Sequence, residues 1–234
     1  YFGRLIRNTL AVSLYALAVS FPTAILLALM LNEVQNKRFK KLVQTITYAP
    51  HFISVIVLVA MLYSFFNYSS GLVNTALAKL GRERYQFIQE PAAFRSMYVL
   101  SGVWQHMGWN SIIYMAALSG LDPELYESAT LDGASRLQKI VYITIPGILP
   151  TIITMLILDS GRLMSVGFEK VFLMQNDLNL TSSDVISTYV YRVGLLNAQY
   201  SFSTAIGLFN SVINCVLLAL VNAISRRLSE TSLW

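Results

Sequence analysis

Two charged side chains, Asp159 and Arg162, stand inside the apolar part of this 234-residue chain. Three residues apart on a helix, they share a face, and either pair with each other or turn toward a polar interior. In the second case Arg162 favours an acidic solute. The remaining chemistry-bearing residues are scattered. His51 and His106 have no acidic neighbours at ligand spacing, and Cys215 is the only cysteine, so the sequence offers neither a metal site nor a disulfide. The protease and esterase signatures H-E-x-x-H and G-x-S-x-G are absent, as is the phosphate-binding G-x-x-x-x-G-K-[ST]. A denser polar and aromatic set runs through Trp104, Gln105, Trp109, Asn110 and Tyr114, with Asn210 and Asn214 further along. Aromatic faces beside hydrogen-bonding groups suit a sugar, and the four-residue spacings Gln105/Trp109, Asn110/Tyr114 and Asn210/Asn214 each put two of them on one helix face. Each of these residues lines a passage or serves packing, since Trp and Tyr also form interface belts and Asn bonds between helices. Ser203, Gly207 and Ser211 form a small-residue stripe suited to helix packing.

A second constellation is acidic. Four of the chain's twelve acids, Asp122, Glu124, Glu127 and Asp132, crowd one segment. Asp122 is placed to cap a helix whose first residue is Pro123, and Glu124 and Glu127 suit its positive N-terminal end. Gly133 is the natural break, and Ile145-Pro146-Gly147 is expected to close a second short helix. With Ser128, Ala129 and Ala134, this reads either as a solvated loop or as a helix–turn–helix for docking closely on another protein.

The elements that position these residues follow from composition. The chain is 55% hydrophobic and only 12% charged, against about 25% charged for a soluble domain, and its mean hydropathy is +0.56. Disorder, nucleic-acid binding and a small disulfide scaffold are excluded. Five apolar stretches reach bilayer-spanning length, 8–31, 46–66, 97–118, 147–168 and 202–224, and of all the charges only Asp159 and Arg162 fall inside them. The fold class is therefore all-α, a polytopic membrane protein with a single transmembrane domain, residues 1–234. Pro50 and His51 interrupt the second stretch, and a short interfacial helix is expected to end at Gly81. The net charge of +5 sets topology and meets anionic headgroups. Lys37, Arg38, Lys40 and Lys41 place their short loop, and with it 119–146, on the cytoplasmic side. In the outer loop 169–201, Asp184 is expected to cap a short helix running through Tyr189 to Arg192.

The spacing of Glu127, Ser128, Ala129, Gly133, Ile143, Ile145 and Pro146 fits E-A-A, three residues, G, nine residues, I-x-L-P, with Ser128 in place of alanine and Ile145 in place of leucine. This resembles the cytoplasmic signature of permease subunits of binding-protein-dependent ATP-binding-cassette importers. Asn8-Thr9-Leu10, Tyr48-Ala49-Pro50-His51-Phe52, Ile113 to Leu118, Asp122 to Glu127 and Tyr189 to Leu195 are similar to the maltose-type carbohydrate branch, and most similar to oligo- and polysaccharide permeases. The resemblance implies a six-span permease fold whose first span precedes Tyr1, residing in the bacterial inner membrane. It implies a second permease (a heterodimer), two ATPase subunits that bind ATP and Mg, a solute-binding protein and a carbohydrate cargo. Glu127, Ser128, Ala129, Asp132, Gly133 and Ala134 would then dock on the ATPase, and Asp184, Tyr189 and Arg192 would meet the binding protein. An importer of a non-sugar solute and an intramembrane enzyme are the competing readings.

Overall fold

The computed structural model describes residues 1–228, and among them the chain is helical with no strand. Helix α1, Phe2–Glu33, is about 48 Å long at 1.5 Å per residue and carries Pro22 without a break. After three residues, α2, Lys37–Tyr48, begins under an N-cap from Asn36, whose side chain accepts from the amides of Arg38 and Phe39. A 3₁₀ turn, Ala49–Phe52, follows, and then α3, Val55–Phe65. The chain bends by 99° between these two parts. The second apolar stretch is therefore not one straight span: α3 alone rises about 16 Å, half of the hydrocarbon core. Pro50 at the start of the 3₁₀ turn and Ser54 capping α3 through the amide of Val57 set the break.

Helix α4, Leu72–Lys79, ends as expected at Gly81, which has φ +71° and passes the chain on with an Arg82 N–H to Leu77 carbonyl bond. Helix α5, Pro91–Ser119, is the other long central element and lies along α1. Their contact divides the core. Val12 of α1 and Phe94 of α5 meet Val59 and Leu62 of α3 at one end. Ala24, Ala28 and Leu29 meet Tyr114 and Leu118 at the other.

Helices α6, Pro123–Leu131, and α7, Arg136–Lys139, precede α8, Ile145–Ser160. Here the structure corrects an expectation. Ile145-Pro146-Gly147 does not close a short helix, because α7 passes through a π turn, Ile140–Thr144, straight into α8. The N–H of Ile145 bonds five residues back to Ile140. Pro146, which has no N–H to donate, stands in the first turn of α8 directly after that widened turn. The fourth apolar stretch is consequently displaced, with continuous helix from 136 to 160 and a tight turn over 161–164.

Three short helices, α9 (Phe168–Met174), α10 (Leu180–Ser183) and α11 (Ile186–Tyr191), pack the outer loop onto α1, α3 and α5. Helix α12, Tyr200–Leu228, completes the order. By length and composition α1, the 136–160 helix and α12 qualify as spans, and the bent α2–α3 pair makes a fourth. Helix α5 has the length, 29 residues, but carries the polar set that lowers its hydropathy.

Candidate functional site

A cavity of about 480 Å³ opens between α1, α5 and the end of α8. From α5 it takes Trp109, Asn110 and Tyr114, and from the α8 end Asp159 and Arg162. Helix α1 contributes small side chains, Ser13, Ala16 and Ser20, which leave the space open. Tyr114 is buried and meets Phe21 edge-on at 6.3 Å. Trp109 is half-exposed to the cavity and backed by His51, whose ring lies parallel to it, 4.3 Å away and 2° from coplanar. His51 in turn meets His106, Nδ1 to Nδ1, at 3.1 Å. The 3₁₀ turn at the bend thus supports an aromatic wall of the cavity.

Asp159 and Arg162 do not form the expected ion pair. The Arg162 N–H donates to the Asp159 carbonyl at 3.1 Å, yet among the described residues the ion pairs within 4.0 Å are those of Asp184. The helix ends at Ser160, so the residues stand on either side of a turn rather than on one helical face. That turn is held in place by Asn214 of α12. Its Oδ1 accepts from the Met164 amide at 2.9 Å and its Nδ2 donates to Ser165 Oγ at 2.9 Å.

The other residues of the polar set lie elsewhere. Asn214 is engaged with the turn, and Asn210 sits on α12 with a buried Oδ1 that has no hydrogen-bond partner among the described residues. Gln105 is buried and donates to the Ile53 carbonyl at 2.8 Å, pinning the bend to α5. Trp104 lines a separate apolar cleft of about 580 Å³ between α3 and α5. Tyr98 and the small residues of α1 were not singled out by the sequence, where nothing but helical phase marks them.

Asp184 does not cap the helix through Tyr189, because the N-cap of α11 is Val185 and Asp184 instead closes α10. It is fully buried, accepts from Arg192 Nη2 at 2.9 and 3.0 Å and from the Tyr1 hydroxyl, and lies 4.0 Å from Arg4. A carboxylate removed from water needs such partners more than a helix end needs a cap. Tyr189 packs against Tyr1, ring centroids 5.5 Å apart, and beneath the Arg192 guanidinium. Burial is the first cause that raises the Tyr1 phenol above its ordinary value, followed by its bond to Asp184. Nearby, Lys170 is buried on α9, where its Nζ donates to the Tyr98 carbonyl at 2.9 Å and sits over the Tyr98 ring. Burial lowers its ammonium from 10.5 to about 8.

The acidic segment is a helix–turn–helix with every local signal in place. Asp122 caps α6 through the Glu124 amide at 2.9 Å. Gly133, at φ +77°, makes a Schellman close: its own N–H reaches the Thr130 carbonyl, and that of Ala134 reaches Ala129. Ser135 and Gln138 then cap α7 reciprocally, a local signature that the sequence reading overlooked. Lys139 Nζ to Thr130 Oγ1 at 2.7 Å and Tyr126 to Thr144 at 3.0 Å fix the two helices to each other and to the π turn. Glu127, Ser128, Asp132 and Gly133 are exposed, and Ala129 and Ala134 are half-buried. Leu131 is 90% exposed, Leu137 74% and Tyr142 75%.

Comparison with known proteins agrees with this architecture. A family model described as "Binding-protein-dependent transport system inner membrane component" matches residues 20–230. Protein LplB of Bacillus subtilis (strain 168) is 40% identical over 233 residues, covering 100% of this chain and 73% of the relative. The polygalacturonan/rhamnogalacturonan transport system permease protein YteP of the same organism is 40% identical over the same shares of both chains. The crystal structure of a bacterial ABC transporter involved in the import of the acidic polysaccharide alginate contains a chain 44% identical to this one. It superposes with a TM-score of 0.95 over 97% of this chain and 80% of that one.

Proposed function

The chain belongs to the family of binding-protein-dependent transport system inner membrane components, and from that membership we propose that it forms one side of the passage through which an ATP-driven importer moves an oligo- or polysaccharide. The chain is a translocation subunit. Its partners are a second, different permease, two ATPase subunits that hold ATP and Mg, and a solute-binding protein that delivers the carbohydrate. One 40% identical relative, YteP, is named as a polygalacturonan/rhamnogalacturonan permease, and a solved relative at 44% identity is described in complex with an alginate pentasaccharide-bound periplasmic protein.

One observation carries the mechanism. The helix running from 136 to 160 has the helix–turn–helix at its start and Asp159 of the cavity at its end, about 37 Å away at 1.5 Å per residue. A push on α6 and α7 reaches the cavity wall through one uninterrupted rod. Glu127, Ser128, Ala129, Asp132, Gly133 and Ala134 form the face offered to the ATPase. Leu131, Leu137 and Tyr142 supply apolar area that water would otherwise cover. ATP-driven closure of the ATPases swings this helix, and Trp109, Asn110, Tyr114 and Arg162 meet the sugar as the cavity opens. On this reading Gln105, Asn210 and Asn214 shape the passage from behind, and Trp104 borders it on the α3 side. Tyr189 and Arg192, held by Asp184, present the outer face to the binding protein.

The test is substitution of Ala129 and Gly133 by leucine in the assembled importer. Gly133 has a left-handed backbone that a leucine strains, and Ala129 sits on the docking face. Loss of ATPase co-purification or of sugar-stimulated ATP turnover is expected. Unchanged association and turnover in the double variant would refute the docking role.

A further inference from the structure

We propose that Arg162 is the specificity-determining residue of the cavity, binding the carboxylate of a uronate unit and so selecting acidic over neutral sugar chains; this rests on the carbohydrate reading above. Four observations converge on it. Arg162 is the one cation inside the five apolar stretches of the sequence, and it stands in the turn directly after the 136–160 helix. It lines the cavity and is exposed there. Its guanidinium has no carboxylate within 4.0 Å among the described residues, although Asp159 lines the same cavity. Its turn is braced by Asn214 through two bonds of 2.9 Å, so the backbone carrying the guanidinium is positioned in advance.

The cavity supplies the rest of a uronate subsite. A pyranose ring has an apolar C–H face, which matches the free face of Trp109, while His51 fixes the other face of that indole. Asn110 and Tyr114 offer donors and acceptors to the hydroxyls. A carboxylate takes two parallel N–H bonds from a guanidinium, a geometry that no hydroxymethyl group can satisfy. Asp159 works in the opposite sense. It partly neutralises Arg162 in the empty cavity and repels a second carboxylate, which limits how tightly an anionic chain is held and lets it move on.

The decisive measurement is uptake by the complete importer in proteoliposomes, offering a uronate trimer and the same trimer with its carboxyl groups reduced to hydroxymethyl. Wild type is expected to prefer the uronate. Arg162→Gln should lower the uronate-to-neutral ratio about ten- to a hundredfold, the range of one charge-assisted hydrogen-bond pair. Arg162→Lys should retain part of the preference, and Asp159→Asn should raise it. A ratio unchanged in Arg162→Gln while wild type transports the uronate overturns the assignment alone. Wild-type transport of neither trimer overturns the carbohydrate reading and the assignment with it.

Discussion

Gly108 sits where α5 crosses α2, and replacing it with alanine should pull the bent span off the cavity wall. A Cβ at this position would lie 2.1 Å from the Thr47 carbonyl oxygen and 2.4 Å from its carbonyl carbon. Both atoms are backbone, so no side-chain rotation relieves the overlap. Helix α2 must retreat by about 1 Å before contacts return to the 3.0 Å below which real Cβ atoms are not found. Overpacking of this kind costs about 1–3 kcal/mol. On the scale of a 234-residue chain each kcal/mol corresponds to about 2–4 °C in unfolding temperature. The retreat also acts on function. Three residues past Thr47 lies Pro50, then His51 against Trp109, and then Ile53, whose carbonyl is held by Gln105 at 2.8 Å. Moving α2 loosens the stack that backs Trp109 and the bond that pins the bend.

Two readouts follow the change: thermal unfolding of the purified importer, and sugar uptake. Gly108→Ala should lower both, the unfolding temperature by about 4–8 °C for about 2 kcal/mol. Gly207→Ala is the control. No atom lies within 4 Å of a Cβ built at Gly207 on α12, so alanine there gains helix propensity and should leave stability level or slightly higher. If the two variants behave alike, the close approach of α2 to α5 is not what holds the bend, and the argument fails.

Two further outcomes are expected. Asp184→Asn keeps the shape of the outer-loop hub but leaves Arg192 without its counter-ion. Destabilisation of about 1–3 kcal/mol and faster proteolysis within 169–201 should result, whereas wild-type protection would show the hub to be dispensable. Lys170, on α9 outside the spanning helices, is held by burial at about 8 rather than 10.5. Its folded value is the lower one, so between those pH values the unfolded chain binds more protons and stability rises with pH, by up to about 3 kcal/mol. Below pH 8 both states carry the proton and the term is constant. Lys170→Met should abolish the rise in a pH series of unfolding temperatures, and a variant curve parallel to wild type would sink the assignment.

What the sequence made legible was local. Asp122 before Pro123, Gly133 after Leu131 and Gly81 after Leu80 all act as read, because a cap or a left-handed glycine is decided within five residues. The four-residue spacings were informative only up to the choice of neighbour. Trp109, Asn110 and Tyr114 do share one cavity, yet Gln105, one turn from Trp109, is spent on the Ile53 carbonyl, 52 positions away. No spacing rule contains that partner. Asp184 reads as a cap for a related reason: beside Arg192, eight residues on, its carboxylate takes the Tyr1 hydroxyl from 183 residues away. Lys170, just past the end of the fourth apolar stretch, carries no local sign that it folds back over Tyr98.

The most consequential difference is at Pro146, where local punctuation argued for a stop. Pro146 instead stands in the first turn of α8 directly after the π turn at 140–144, and the helix runs on through it as α1 runs through Pro22. The cost is a poorer hydrogen-bond pattern over five residues. The return is mechanical. With a break at Pro146, the acidic helix–turn–helix would hang from the bundle on a loop and displacement would dissipate there. Without it, α7 and α8 form one continuous helix that ends at Asp159 and Ser160, and Tyr126 ties α6 to the same turn through Thr144. The residue that made the sequence look like two elements thus lies within the one helix that runs from the acidic helix–turn–helix to the cavity.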